Sequence, residues 1–274
     1  MEKTPRQFSS LWRWREAQGR PYLTCALLDP WPHGFFTRQW APETPETLAQ
    51  ALAPDTSVFR VKQVHGAKIL SPGALPTAAE TFSPADGLLS DGSNQSLWVA
   101  SADCTPVLIA DLVTGRVAAL HAGWRGTAQG IIPKAVHLFL AQGSQLSDLR
   151  AALGPAIAPQ VYQVDREVGL QVVRSISPTF AEAEAEELLA EAQIGPDAPL
   201  WPDPEPGKVR LDVRLVGALQ LRRLGLKPEQ IAVSDYCTYQ TPESFFSYRR
   251  TGEKQVQWSG IASESTSGSP PWRG

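Results

Sequence analysis

Three short apolar runs, at 97–100, 107–110 and 117–120, follow one another with only polar loops between them. Runs this short, bounded by turn signals, suit strands buried on both faces better than helices. They place the centre of a sheet here. The loops between them carry chemistry. Cys104 precedes the second run, in Ser101-Ala-Asp-Cys-Thr-Pro106. Thr114-Gly115 turns the chain into the third run, whose end presents His121 in His121-Ala-Gly-Trp-Arg-Gly126. A further island, Val64-His65-Gly66, follows a predicted strand over 55–63 that carries Val58, Arg60 and Val61.

With four histidines and three cysteines in the whole chain, these islands set two imidazoles and one thiol on three separate loops. Zinc held by three protein groups keeps its fourth position for water or substrate, which is a catalytic arrangement. His65, Cys104 and His121 are therefore the candidate metal and catalytic residues, with zinc ahead of copper as the ion. A bland alternative stands beside each. A histidine at a strand end is commonly just hydrogen-bonded, and a single cysteine is commonly a small buried hydrophobe. Asp103, next to Cys104, either shuttles a proton or caps a turn. His33 and His137 read as structural, one in a turn and one in an amphipathic helix. Arg38, Arg125, Arg249 and Arg250 are either anion ligands or solvent-facing ion-pair residues. A closed structural zinc site would need a fourth donor, and no further histidine or cysteine lies in a matching loop.

At 274 residues and 42% hydrophobic content, the chain can bury a large core. The pattern predicts a short strand after Trp31, leading to Arg38, and a helix bearing Ile132, Val136, Phe139 and Leu140 with Pro133 in its first turn. Strands follow at 149–153, 231–233 and 255–261. Asp165 and Asp212 read as N-caps, the first for a helix with Val168, Val172 and Val173, the second for one with Val216 and Leu219 that ends at Gly225. Gly123-Trp-Arg-Gly126 reads as a loop. Strands and helices alternate, so the class is α/β with mixed sheets. One catalytic domain is expected over 21–262, between a partly disordered N-terminus at 1–20 and a disordered tail at 263–274. An Ala/Glu- and Pro-rich insertion over 181–207 is read as an exposed helix and a stiff connection without chemistry.

Three far-separated cysteines (Cys25, Cys104, Cys237) make no disulfide framework, and 1–20 shows no charged-then-apolar leader, so a cytoplasmic protein is expected. The apolar runs fall far short of the about 20 residues that cross a bilayer. A net charge of -3 gives no basic field for nucleic-acid polymers, which leaves small molecules as partners. A monomer is expected, with an oligomer left open. The chain has no G-x-G-x-x-G, no P-loop and no G-x-S-x-G.

Five stretches together carry a family resemblance: Val61-Lys-Gln-Val-His-Gly66, Ser101-Ala-Asp-Cys-Thr-Pro106, His121-Ala-Gly-Trp-Arg-Gly-Thr127, Leu153-Gly-Pro-Ala-Ile157 and Phe245-Phe-Ser-Tyr-Arg-Arg250. In this order the chain resembles the bacterial YfiH-like family, long labelled laccase-domain or multicopper polyphenol oxidase and also peptidoglycan editing factor. The resemblance implies mixed β-sheets sandwiched by helices in α-β-β-α layers. It further implies a zinc-dependent purine nucleoside enzyme that phosphorolyses adenosine, inosine or guanosine, and methylthioadenosine, and deaminates adenosine in the same pocket. It makes His65, Cys104 and His121 the centre and Arg38 a pocket residue for phosphate or substrate; the forked donors of arginine suit phosphate, which puts Arg38 first, Arg125 behind it and Arg250 as a further candidate. The alternatives are a copper polyphenol oxidase and a non-enzymatic zinc-binding protein of peptidoglycan quality control. A multicopper centre needs on the order of ten histidines, and four are present. Two stretches depart from the family pattern: Gln39-Trp-Ala-Pro-Glu43 replaces a Gly-Gly-Val-Ser stretch, and Ala158-Pro-Gln160-Val161 precedes Tyr162 where a cysteine pair is usual.

Overall fold

The structure, a computed structural model, describes residues 11–76, 82–176 and 185–264. In chain order its strands are β1 (Trp12–Ala17), β2 (Arg20–Cys25), β3 (His33–Phe36), β4 (Ser57–Arg60), β5 (Ile69–Leu70), β6 (Gly87–Leu89), β7 (Gln95–Ser101), β8 (Thr105–Asp111), β9 (Val117–Ala122), β10 (Leu149–Leu153), β11 (Gln163–Asp165), β12 (Leu200–Pro202), β13 (Lys208–Leu211), β14 (Ile231–Val233) and β15 (Gln257–Ala262). The helices are α1 (Pro45–Leu52), α2 (Trp124–Ala128), α3 (Ile131–Ala141), α4 (Arg166–Arg174), α5 (Ala185–Glu191), α6 (Val213–Arg223) and α7 (Tyr248–Thr251).

One mixed sheet runs β1-β2-β3-β15-β7-β4 and a second runs β14-β10-β8-β9-β6-β5. Alternation along β8 explains how they stack. Leu108 and Ala110 pack with Leu97, Val99 and Ile261 of the first sheet, forming the core between the sheets. Val107 and Ile109 point the other way, into a core shared with Ile132, Val136 and Phe139 of α3 and Leu221 of α6. On the far side of the first sheet, Phe36 and Trp98 pack against Leu48 and Ala49 of α1. The layers are therefore α-β-β-α, as the family resemblance implies. The three apolar runs of the opening pattern are β7, β8 and β9, buried almost throughout.

Asp212 caps α6 as the sequence indicates, its carboxylate accepting from Leu215 N–H at 3.0 Å. The 123–126 stretch is not a plain loop: Gly123 is the N-cap of α2, and Trp124 opens that helix. Within 1–20, Trp12–Ala17 is an edge strand paired with β2, while 1–10 lie outside the described residues. The 181–207 segment is also more integrated than a solvent-exposed insertion. Residues 181–184 lie outside the described residues, but Leu188 and Leu189 of α5 are buried beside Val172 and Val173 of α4. Leu200 of β12 completes that core over a three-stranded sheet, β11-β13-β12. Ser263, placed in the tail by the sequence reading, bonds Gln95 at the end of β7, and 265–274 lie outside the described residues.

Candidate metal and catalytic centre

Strand register assembles the donors. In the β8–β9 hairpin Thr105 faces Ala122 and Pro106 faces His121, so Cys104, just before β8, and His121, near the end of β9, share one sheet end. Antiparallel pairing of β6 with β9 sets Gly87 opposite Leu120, which places Asp86 beside His121. The His65 loop, between β4 and β5, is drawn to the same point. The Asp86 carboxylate accepts from the main-chain N–H groups of Val64 (3.2 Å), His65 (2.8 Å) and Gly66 (2.7 Å), and it lies 2.9 Å from His121 Nδ1.

The donor atoms of His65, Cys104 and His121 all lie within 4.8 Å of one another. Zinc bonded at its usual lengths sets its ligands about 3.5 Å apart, so modest side-chain motion closes the group on an ion. Two glycines permit this crowding. A Cβ at Gly123 would stand 2.8 Å from Cys104 Sγ and 3.4 Å from His65 Cδ2, and one at Gly126 would stand 2.7 Å from the Gly66 carbonyl oxygen. His121 is buried, Cys104 half-buried and His65 exposed, which leaves the group open to solvent on the His65 side. The group could hold a metal ion, with one side left for a substrate.

Without a metal the three side chains polarise one another. Burial opposes charge on Cys104, yet hydrogen bonds from His121 and His65 outweigh it and bring the thiol down from 9.0 to about 6. Burial likewise opposes charge on His121, but Asp86 and Cys104 hold it up at about 9. A thiolate donor is therefore ready at neutral pH. For Tyr162, burial pushes the phenol up, reinforced by the nearby Cys104 charge and opposed by Arg249 and Arg125. The phenol therefore stays protonated.

The remaining predicted residues fall into different roles. Asp103 has a left-handed φ of 89°, and its oxygens accept from Thr238 Oγ1 and from the Arg249 main-chain N–H, both at 2.7 Å. Of its two expected roles, the turn-fixing one is what the geometry displays. Arg250 donates to the carbonyls of Thr238, Tyr239 and Phe245, each at 2.7 Å, so its guanidinium clamps a loop instead of standing free for substrate. Arg38 lies over the Phe246 ring at 4.7 Å and gives one N–H to the Pro242 carbonyl. Arg125 is exposed on the first turn of α2, stacked 4.3 Å from the Trp124 ring centroid. His33 and His137 lie elsewhere, the first bonded to Trp31 and Cys25, the second beside Ala67 and Ile69 in a groove along α3. The departing stretch at 39–43 turns inward: Trp40 is buried edge-on to Phe36, with ring centroids 5.0 Å apart. Asp86 and Tyr162 carry no motif that marks them as site residues, whereas Arg249, a candidate anion ligand by sequence, serves through its main-chain N–H to Asp103. Nothing local marks Asp86, because its role depends on pairing between strands that motif reading does not join.

Fold and site together define an α/β protein of two stacked mixed sheets with an open His-Cys-His centre at one sheet end. Residues 42–263 match the family of multi-copper polyphenol oxidoreductase laccases. A purine nucleoside phosphorylase of Synechocystis sp. is 55% identical over 257 residues, 92% of this chain and 97% of that protein. The purine nucleoside phosphorylase YlmD of Geobacillus stearothermophilus is 36% identical over 69% of this chain and 65% of its own length. The crystal structure of YlmD from the same organism superposes with a TM-score of 0.75 at 28% identity, over 92% of this chain and 99% of that one. The hypothetical protein YfiH of Bacillus licheniformis gives 0.74 at 25% identity, with the same coverages. The chain belongs to this YfiH-like, laccase-domain family.

Proposed function

We propose that this protein is a zinc-dependent purine nucleoside phosphorylase whose pocket also deaminates adenosine. The observation that carries the reading is the convergence of His65, Cys104 and His121 within 4.8 Å at an open sheet end, in a chain whose relatives of 55% and 36% identity are named purine nucleoside phosphorylases. One thiolate and two imidazoles suit zinc, whereas a multicopper centre would draw on many more histidines than the two gathered here. When bound, the ion supplies a Lewis acid and a polarised water, the chemistry that deamination of a purine ring requires.

The chain's own residues meet the needs of phosphorolysis. As the ribose C1′ bond to the base breaks, positive charge grows on the sugar and negative charge on the purine. Phosphate, as the nucleophile, offsets the first. Its grip is assigned to Arg38, whose rigid fork matches phosphate oxygens, with Arg125 at the start of α2 as the second cation. The departing purine gains from a hydrogen bond to its developing charge, and Tyr162, whose phenol stays protonated, is the residue assigned to give it. Asp103 fixes the loop that carries Cys104, and Arg250 fixes the loop that carries Arg249 and the N–H that bonds Asp103. The substrates are adenosine, inosine or guanosine, and methylthioadenosine. With three unpaired cysteines and no helix among the described residues long and apolar enough to cross a membrane, the reading is of a cytoplasmic, monomeric enzyme acting on small molecules.

The test is to incubate the pure protein with adenosine, inosine and methylthioadenosine, with and without phosphate, and to resolve the products. Free base and ribose 1-phosphate, or its 5-methylthio analogue from methylthioadenosine, should form only with phosphate, while inosine should form from adenosine without it. Base release at equal rates without phosphate would mark a hydrolase and overturn the phosphorylase assignment.

A further inference from the structure

The Asp86 carboxylate is fully buried and sits between two of the three donors. Its Oδ1 accepts from the His65 N–H and faces His121 Nδ1, and its Oδ2 accepts from the N–H groups of Val64 and Gly66. Its own carbonyl accepts from the His121 main-chain N–H at 2.7 Å. Three successive N–H groups converging on one anion form a nest. Here the anion is a side chain of the protein and the nest is the His65 loop. That loop needs holding, because His65 has a left-handed φ of 61°, which side chains other than glycine seldom adopt. At the other partner the chemistry runs through the imidazole. A carboxylate surrounded only by donors is an acceptor, so Nδ1 of His121 carries a proton, and Nε2, on the opposite ring edge, is the nitrogen that gives up its proton and offers a lone pair when a metal binds.

We propose that Asp86 is a positioning residue that pre-arranges the centre, fixing the His121 tautomer and the His65 backbone through one carboxylate so that both imidazoles are set before a metal arrives. This inference rests on the metal-binding reading above. Outer partners of this kind commonly govern metal affinity as strongly as they govern geometry. Asp86→Asn preserves shape but replaces one acceptor oxygen with an NH₂ donor. Whichever way the amide turns, it presents that donor either to His121 Nδ1 or to the N–H groups of Val64 and Gly66. Turned to His121, it favours the Nε2–H tautomer and removes the lone pair from the donor set.

Zinc affinity is to be measured by competition with a chromophoric chelator, on wild type and Asp86→Asn. A loss of about 10- to 100-fold is expected in the variant, together with a shift of His121 toward the Nε2–H tautomer in nitrogen NMR of the metal-free protein, recorded at a pH high enough for the ring to be neutral. A role in general stability alone would not move that signature. Wild type that binds no zinc would contradict the metal reading itself. Wild type that binds zinc while Asp86→Asn binds it equally well would leave that reading standing and overturn the positioning role. If the variant does not fold, metal-free wild type decides: a neutral His121 ring at high pH that keeps its proton on Nδ1, with slowly exchanging amides at 64–66, supports the role, and a neutral ring in the Nε2–H tautomer overturns it.

Discussion

Removing the Cys104 sulfur changes one small side chain yet takes away the only thiol among the three donors. Loss of an outer partner already costs metal sites about 10- to 100-fold, so Cys104→Ala should lower nucleoside turnover by at least about 100-fold. Because Asp103, Thr238 and Arg249 hold the surrounding loop through other atoms, the melting temperature should move by no more than about 4 °C. Near-normal turnover would make the thiol a bystander. Arg38 is the test of the phosphate assignment. Lysine keeps the charge but loses the fork, and a charge-assisted hydrogen bond is worth about 1.5–3 kcal/mol. Arg38→Lys should therefore raise KM for phosphate about ten-fold or more, leave the nucleoside KM little changed and spare adenosine deamination. Equal loss of both activities would move the phosphate role to Arg125. Far from the centre, His33 gives the fold a pH dependence. Burial lowers its pKa from 6.5, and protonation would forfeit the acceptor that Cys25 N–H uses at 2.8 Å. The unfolded chain therefore binds the proton more readily. Stability is complete above pH 6.5 and falls as the pH drops from there toward the lower folded value. Melting followed from about pH 8 to about pH 5 should fall more steeply in wild type than in His33→Gln, and parallel curves would contradict this.

Among the elements, α6 shows how directly some of this structure follows from local sequence. Its cap, Asp212, stands immediately before the helix and bonds Leu215 N–H, and Gly225 follows with a φ of 104°. Asp212→Ala should cost about 1 kcal/mol by chemical denaturation, and no change would show that the cap is replaced by solvent. Buried strands β7 to β9, helix α3 and strand β10 were legible in the same way, because each carries its burial pattern within a few residues. What escaped is non-local. β1 has a mostly exposed, polar face and is a strand because of its full pairing with β2. The 181–207 stretch reads as an exposed helix and linker because Ala and Glu dominate its start, whereas Leu188, Leu189 and Leu200 suffice to seat its described part, from residue 185 on, against α4. At the site, the three donors could be read from residue type and setting. Asp86 could not, since its partners lie 20 to 35 residues away across two loops. Arg250 had the right chemistry for an anion, but its carbonyl partners come from a loop fold that sequence does not reveal.

Across the whole molecule, two sheets meet where the chain leaves β7 and enters β8, and the 102–104 loop makes that crossing. The centre is built there from both sides: Cys104 from the crossing, His121 and Asp86 from the second sheet, and Asp103 held by Arg249 next to the return toward β15. Core packing on both faces of the second sheet keeps this end rigid, which suits a site whose donors must hold their places with or without an ion. The proposed function requires one zinc ion at this centre for the site to turn over purine nucleosides. The most direct measurement is inosine turnover with phosphate after the protein is stripped by chelation and then titrated with zinc. Stripped protein is expected to be inactive, activity to return linearly and saturate at about one zinc per chain, and a Cys104→Ala/His121→Ala variant to recover nothing. Full activity in the stripped protein, or recovery with copper but not zinc, would contradict it.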